Sequence, residues 1–486
     1  MNNLIDSKKR ILLVNPPFYR LLGSRYNANS LGIAYIASVL NKNGHDAWLY
    51  NADYVNERSF AGLKKLFSQF DDYKKFFEDS DHPLWLEVAN NILEFSPDWV
   101  GFTAYTANIT SIKIISKKIK ELSPGIKQVI GGPHPTMDPD ILHKIPTMDY
   151  AVKREGEFAM LSLVNGDTPS LVPGVVSRTK FPGILQDNGD APPIKPIDQL
   201  PFPERDKFWK IPKEDRKFVD VSYVVSIRGC PYKCNYCASP EHWKRNKTQF
   251  RTPEDVLLEL QHLKNNYWEQ VKEFDYSQSN NIAKKDELLV KDNAIVYFVD
   301  DVFTIKKERV KKILQGMIDL DLQMPFKAEM RTDHLTPEIC SLLKKAGCVR
   351  AKIGIESGSP KILKQIQKDE TREEMLAGCK MLQEAGVPYT VYLMTGFPGE
   401  TDEDLDMTID FAKKVQADYY SLGVLSPYFG TQIYNDLIRE GFPLDKTPDH
   451  YFYHSSPTLM VNNTISQEKL QEYLSLNDLN IGKGYI

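Results

Sequence analysis

Apolar and polar residues along this chain fall into two separate alternating series. In the first, ILLVNPP (11–17) is an apolar run stopped by Asn-Pro-Pro, which predicts a buried strand. SLGIAYIASVLNKNGH (30–45) repeats Leu31, Ala34, Ile36 and Leu40 at helical spacing and ends at Asn43-Gly44. AWLYNADY predicts a second strand, DWVGFTAYT (98–106) a third, KQVIGG a fourth and DYAVKREGE a fifth. Residues 55–95 read as a helical, aromatic-rich and charged insertion. Strands alternating with helices predict βαβ units and a doubly wound parallel sheet over 1–165. Residues 166–220 are rich in proline (TPSLVPG, DAPPIKPIDQLPFPERD) and read as an irregular connector.

The second series begins at VSYVVSIRG (221–229). AIVYFVDDVF, FKAEMRTD, RAKIGIESG, YTVYLMTGFPG and YYSLGVLSPYFG supply five more strands, each separated by a helical stretch. Six strands with crossover helices predict an incomplete parallel barrel over 221–434, with its chemistry at the C-terminal strand ends. The polar stretch 273–293 interrupts one crossover as a surface excursion, and 435–486 reads as short helices and loops.

Composition narrows the class. A chain of 486 residues, 42% hydrophobic and 26% charged, is an ordinary globular protein of two or three domains. A net charge of −4 gives no general attraction to nucleic acid or to anionic membranes. No apolar run has bilayer-spanning length, and MNNLIDSKKR lacks the apolar core of a signal peptide. The expected location is the cytoplasm. Six cysteines in a chain this long form no disulfide framework. Cys340, Cys348 and Cys379 stand in helical or buried contexts and read as core.

Cys230, Cys234 and Cys237 differ, because they fall within eight residues just after a strand. Three thiolates on one tight loop suit three irons of a 4Fe–4S cluster and leave one iron open. The other reading is a zinc knuckle with His242 as fourth ligand, five residues beyond Cys237. The CxxxCxxC spacing, with an aromatic at Tyr236, resembles the signature of the radical S-adenosylmethionine superfamily. That resemblance implies that the open iron chelates the amino and carboxylate groups of S-adenosylmethionine, whose reductive cleavage yields a 5′-deoxyadenosyl radical. It covers 221–434 and has the pattern of the methylthiotransferase- and cyclase-like class.

The same resemblance assigns roles at later strand ends. Asp300 or Asp301 would accept from the ammonium of the methionine moiety, the other reading being a helix N-cap. Arg331 would pair with the methionine carboxylate, or else form a barrel-rim ion pair. Glu356, followed by Ser357, would hold the ribose hydroxyls, or pair with Arg350 or Lys352. Gly396 in TGFPGET lets backbone approach adenine. Leu425 and Pro427 would wall the adenine, or simply pack a strand.

The first series resembles the cobalamin-binding domain often fused upstream of such barrels, through NPP (15–17), SLGIAYIASVL, GFTAYT, GGPHPT and REGE. The implied cobalamin contacts are Asn15, Thr103, Tyr105, Gly131, Gly132, His134, Glu155 and Gly156, at predicted strand ends. Many such domains carry an Asp-x-His-x-x-Gly motif whose histidine ligates cobalt, yet PPFYRLLGSRYN has no histidine. His45 reads as a solvated helix-end residue, and His134 as a structural or hydrogen-bonding one.

Together these resemblances imply a cobalamin-dependent radical S-adenosylmethionine methyltransferase. It would remove hydrogen from an unactivated substrate carbon and transfer a methyl group from methylcobalamin. The alternative is a radical rearrangement or oxidative cyclisation; a cobalamin- or iron–sulfur-based sensor is the non-enzymatic reading. The expected partners are a small-molecule, peptide or protein substrate and an electron donor such as flavodoxin or ferredoxin, with no nucleic acid and no membrane.

Overall fold

A computed structural model describes residues 8–22, 30–54, 70–138, 140–219, 221–243, 248–272, 295–442, 444 and 461–476. Its contacts divide the chain into two compact units that meet in sequence at 219 and 220. Each follows from its own apolar series.

The N-terminal unit is one seven-stranded sheet. Its strands are β1 (Arg10–Asn15), β2 (Asp46–Asn51), β3 (Trp99–Thr103), β4 (Lys127–Gly131), β5 (Tyr150–Val152), β6 (Val175–Arg178) and β7 (Leu185–Asp187). Their order is β2-β1-β3-β4-β5-β6-β7, parallel through β5 and antiparallel beyond it. Helices Leu31–Lys42 and Glu157–Val164 pack on each other, as do Pro83–Glu94 and Ile109–Leu122. The chain order reverses between β1 and β3, so the crevice of a doubly wound sheet lies beyond the carboxyl ends of those two strands.

The proline-rich stretch is more ordered than its composition predicts. It contributes β6 and β7, and Ile194, Ile197 and Leu200 bury themselves against Tyr35 and Val39 of helix Leu31–Lys42. Farther on, Leu49 donates its N–H to Lys207 and accepts from the Trp209 N–H, so this segment lines the free edge of β2. Proline punctuates the stretch without unpacking it, because apolar residues between the prolines still reach the core. Of the 55–95 insertion, helices Phe70–Glu78 and Pro83–Glu94 are described and 55–69 lie outside the described residues. The 273–293 excursion and the aromatic HYFYHSSPTLM stretch also lie outside them. Among the described residues, no helix is long and apolar enough to cross a membrane.

The C-terminal unit holds β8 (Tyr223–Val224), β9 (Ile227–Arg228), β10 (Gln249–Phe250), β11 (Val296–Phe298), β12 (Phe326–Met330), β13 (Cys348–Glu356), β14 (Tyr389–Thr395) and β15 (Tyr419–Val424). Six of them form an all-parallel sheet in the order β15-β14-β13-β12-β11-β8. β9 and β10 make a separate antiparallel pair that the hydrophobic pattern does not show. Crossover helices Lys307–Asp319, Pro337–Lys345, Arg372–Glu384 and Asp402–Val415 pack in sequence order along one face. Thr371 with Glu374, and Thr401 with Asp404, form capping boxes that fix where two of them start. The loops that follow the strands carry the residues singled out from sequence.

Candidate functional site

Arg228 leads from the β9–β10 pair into Gly229, whose φ of +94° is left-handed and where an added Cβ would crowd Trp243 at 3.1 Å. Cys230, Cys234 and Cys237 follow on the turn this creates. The Asn235 N–H donates to Ile366 and its Nδ2 to Gln365, while its carbonyl accepts from the Ile433 N–H. The middle of the cysteine loop is thus tied to two other segments.

The two aspartates after β11 divide their work. Asp300 is buried and accepts from the N–H groups of Ser226 and Ile227 and from the Ser226 hydroxyl. It fixes the strand entering the cysteine loop and is spent there, so the expected ligand role does not fit it. Asp301 accepts from the Ser239 hydroxyl at 2.7 Å and from the Gly229 N–H, which ties the two ends of the loop together.

All three thiols are free. Burial pushes Cys230 up to about 11, and raises Cys234 and Cys237; the charges of Cys230 and Cys234 add to the rise at Cys237. Binding of metal by these thiols would release their protons. Among the described residues, His242 included, no three His, Cys, Asp or Glu side chains gather tightly enough for a single metal ion. Zinc would demand that gathering, with sulfur about 2.3 Å from one centre. A cluster spreads its cysteines over several irons, so the donor set fits 4Fe–4S better than zinc.

Beside the loop lies a buried charged group that the sequence reading only partly named. Glu356 ends β13 with a φ of +67°, a strained conformation for a residue with a side chain. Its carboxylate accepts from the Tyr236 hydroxyl and faces Lys368 Nζ at 3.7 Å. Burial raises its pKa, and Lys368 opposes the rise. The partner is therefore Lys368, neither Arg350 nor Lys352. Lys368 is buried, 3.5 Å from Glu370 Oε2, and bears on Cys234 more strongly than any other charge. Neither distance makes a good hydrogen bond, so its ammonium donors are under-used. Gly354 leaves the space: a Cβ there would lie 3.2 Å from Lys368 Nζ.

Arg331 is committed elsewhere. It forks onto Asp333 at 3.1 and 3.0 Å, donates to the carbonyls of Lys368 and Asp369, and lies over the Tyr232 ring at 3.7 Å. That is the barrel-rim ion pair, with four donors used before any ligand arrives. Ser357 also points inward, with its hydroxyl 3.0 Å from that of Thr408. The expected ribose contact is thus reduced to Glu356.

Gly396 opens the loop after β14 with a φ of +89°. Glu400, which the sequence reading missed, folds back so that one carboxylate oxygen accepts from the Thr395 hydroxyl and from the N–H groups of Gly396 and Phe397. Its other oxygen is buried without a hydrogen bond, and burial lifts its pKa to about 7. The Tyr236 ring meets Phe397 edge-on, joining this loop to the cysteines. Leu425 and Pro427 are buried just beyond the end of β15, and Leu425 donates its N–H to Thr395.

In the N-terminal unit the implied cobalamin contacts divide into two sets. Asn15, Thr103, Tyr105, Gly131 and Gly132 stand at the carboxyl ends of β1, β3 and β4. Asn15 Nδ2 donates to Asn51 at 3.0 Å, and a Cβ at Gly132, whose φ is +112°, would lie 3.0 Å from the Ala104 backbone. Tyr105 is exposed at the rim. The remaining three turn inward. His134 engages Thr106 at 3.0 Å with Nδ1 and Asp138 at 3.4 Å with Nε2, so neither ring nitrogen is presented to a metal. Glu155 accepts from the Ile194 N–H, which holds the proline-rich stretch, and Gly156 packs against Ile36 at the start of helix Glu157–Val164. His45 is buried rather than solvated, hydrogen-bonded to Asn165 at 2.8 Å.

Asp53 went unnoticed in the sequence. Buried beyond β2, it accepts from the N–H groups of Phe18 and Arg20 and so shapes the loop after β1; burial lifts its pKa to about 6. Among the described residues, the crevice presents backbone, one amide pair and one exposed ring. That donor set fits a large ligand held by contact and hydrogen bonds, with no histidine bond to cobalt from His45 or His134.

Comparison with known proteins agrees with both halves. Residues 224–412 match the Radical SAM superfamily and residues 22–164 the B12 binding domain. An uncharacterized methyltransferase of Pyrococcus horikoshii is 27% identical over 90% of this chain and 84% of its own length. The anaerobic magnesium-protoporphyrin IX monomethyl ester cyclase of Rubrivivax gelatinosus is 26% identical over 72% of this chain, which spans 60% of that relative. The fold matches the radical S-adenosylmethionine methyltransferase TsrM of Kitasatospora setae, solved with cobalamin and a [4Fe-4S] cluster, with a TM-score of 0.63 at 17% identity over 89% of this chain and 78% of that one.

Proposed function

Because the chain joins a B12-binding domain to a radical SAM domain and so belongs with the cobalamin-dependent radical S-adenosylmethionine enzymes, we propose that it methylates an unactivated carbon of its substrate. The observation that carries this is the cysteine loop, braced at both ends by Asp301 and bordered by buried charge, in one chain with a B12-binding crevice. An sp³ carbon has no lone pair with which to attack a sulfonium, so a methyl donor alone does not suffice. When bound, the cluster supplies the electron that cleaves S-adenosylmethionine, and cobalamin supplies a methyl carrier.

The chain's own residues do the holding. Cys230, Cys234 and Cys237 ligate iron. Lys368 takes the role expected of Arg331: its spare N–H donors meet the methionine carboxylate, while Asp301 accepts from the ammonium. Glu356, oriented by the Tyr236 hydroxyl, accepts from ribose. The 396–400 loop presents backbone to adenine. In the other unit, Asn15, Thr103, Tyr105, Gly131 and Gly132 hold cobalamin. A flavodoxin or ferredoxin serves as electron donor, and the substrate is a small molecule or a peptide.

The test is anaerobic reconstitution with cobalamin, followed by product analysis. Methyl transfer predicts equal amounts of 5′-deoxyadenosine and S-adenosylhomocysteine with a methylated product. Deoxyadenosine without S-adenosylhomocysteine would instead favour rearrangement or cyclisation, the chemistry named for the Rubrivivax relative.

A further inference from the structure

The matched radical SAM region ends at 412, yet the loop expected to meet adenine is held from outside it. Asn462 is buried and uses its amide fully. Nδ2 donates to the carbonyls of Phe397 at 2.7 Å and Glu400 at 2.9 Å, while Oδ1 accepts from the N–H groups of Thr464 and Ile465. An asparagine amide has two N–H donors and two acceptor lone pairs, and all four are used here. The Thr464 hydroxyl adds a bond of 2.6 Å to the Glu400 carbonyl. The Ser466 N–H and Lys469 Nζ reach Asp402 and Asp406 on the helix that follows the loop. The Tyr473 hydroxyl, on helix Gln467–Ser475, donates to the Gly423 carbonyl on β15, just before Leu425.

One C-terminal segment therefore grips both backbone stretches expected around adenine. Glu400 is where the two holds meet: its carboxylate gathers the loop from within and its carbonyl receives the C-terminal segment. The 396–400 loop contains two left-handed glycines, Gly396 and Gly399, whose backbone is conformationally permissive, so each added hold narrows the shapes the loop adopts. We propose that residues 461–476 are a positioning element of the S-adenosylmethionine site, and that the two N–H bonds from Asn462 set the loop for adenine. This rests on the reading of 396–400 as the adenine loop.

The test measures ligand affinity. In the reconstituted full chain, Asn462→Ala should raise the Kd of S-adenosylmethionine and of 5′-deoxyadenosine about ten-fold or more, as expected for two lost buried bonds. Iron content and the inhibition constant of L-methionine should stay at wild-type values, whereas general damage would weaken all ligands together. Asn462→Asp keeps the acceptor and loses the donors, so it should be as weak as alanine; rescue by aspartate would overturn the proposal. Should Asn462→Ala not fold, Thr464→Val removes one bond and should still raise the Kd of both adenosine ligands several-fold. Adenosine affinities within two-fold of wild type in the folded variants would overturn it too. A wild-type protein that binds iron but no S-adenosylmethionine would sink the adenine-loop reading and this inference together.

Discussion

At the strand ends of the C-terminal unit, Lys368, Glu356, Arg331 and Glu370 all bear on Cys234. At those of the N-terminal unit, the described residues of the crevice present Asn15 with Asn51, glycine backbone and Tyr105, and the buried carboxylate of Asp53 accepts from loop N–H groups beside the Arg20 charge. On the proposed assignment of the two sites, the difference follows the ligands. The aminoacyl end of S-adenosylmethionine carries both signs of charge, and a buried site must hold the opposite charges ready because desolvated ions need partners. A corrin ring spreads its polarity over amides around an apolar face, so neutral backbone and aromatic contact suit it.

This contrast breaks most completely at the cysteines. Cys230→Ala, Cys234→Ala or Cys237→Ala should abolish deoxyadenosine formation and strip most of the iron, while cobalamin retention by the other unit stays near wild type. Retained cleavage in any one variant would remove that cysteine from the cluster.

Next in size is Lys368→Met. It leaves Glu356 buried without its cation, while Glu370 keeps Arg331 at 3.3 Å, and should cost about 3 kcal/mol of stability. It should also weaken S-adenosylmethionine about 100-fold in a dialysis measurement. Arg331→Lys should change that affinity only a few-fold, because its fork already holds Asp333. The reverse ranking would restore Arg331 as the carboxylate partner.

Asp53 sharpens the other side. Its folded-state pKa of about 6 stands above the ordinary 3.8, so the native state keeps a proton that the unfolded chain releases. Stability from this group is greatest below pH 3.8 and falls as pH rises to about 6, by about 3 kcal/mol at most. Asp53→Asn keeps an oxygen for the Phe18 and Arg20 N–H groups. It should flatten that slope in urea unfolding between pH 4 and 6.

The smallest effect belongs to His134→Gln. Losing its bonds to Thr106 and Asp138 should cost about 1 kcal/mol and leave the bound cobalamin spectrum unchanged. A spectral shift would make His134 a cobalt ligand after all.

Both parallel sheets were legible in the sequence, because long apolar runs at regular spacing survive any loop composition. The cysteine loop was legible because its spacing is chemistry in itself. Lys368 was not: in QIQKDE it looks like a surface residue, and left-handed turns at Gln367 and Asp369 carry it inside. Asp300 and Ser357 lay at the right strand ends, but sequence does not tell which way a side chain turns. Asp53 lies in an unremarkable NADY, where only the folded loop of Phe18 and Arg20 reveals its work. Proline hid β6 and β7, since composition reports turns and not what lies between them.

The left-handed backbone at Glu356 has an evolutionary consequence. A glycine there would relieve about 1 kcal/mol of backbone strain, yet it would also leave Lys368 buried with one carboxylate fewer, which costs more. Selection for heat resistance alone should therefore not release position 356 from glutamate. Glycine should appear there only in lineages that have also lost the charge at position 368, so the two codons should change together.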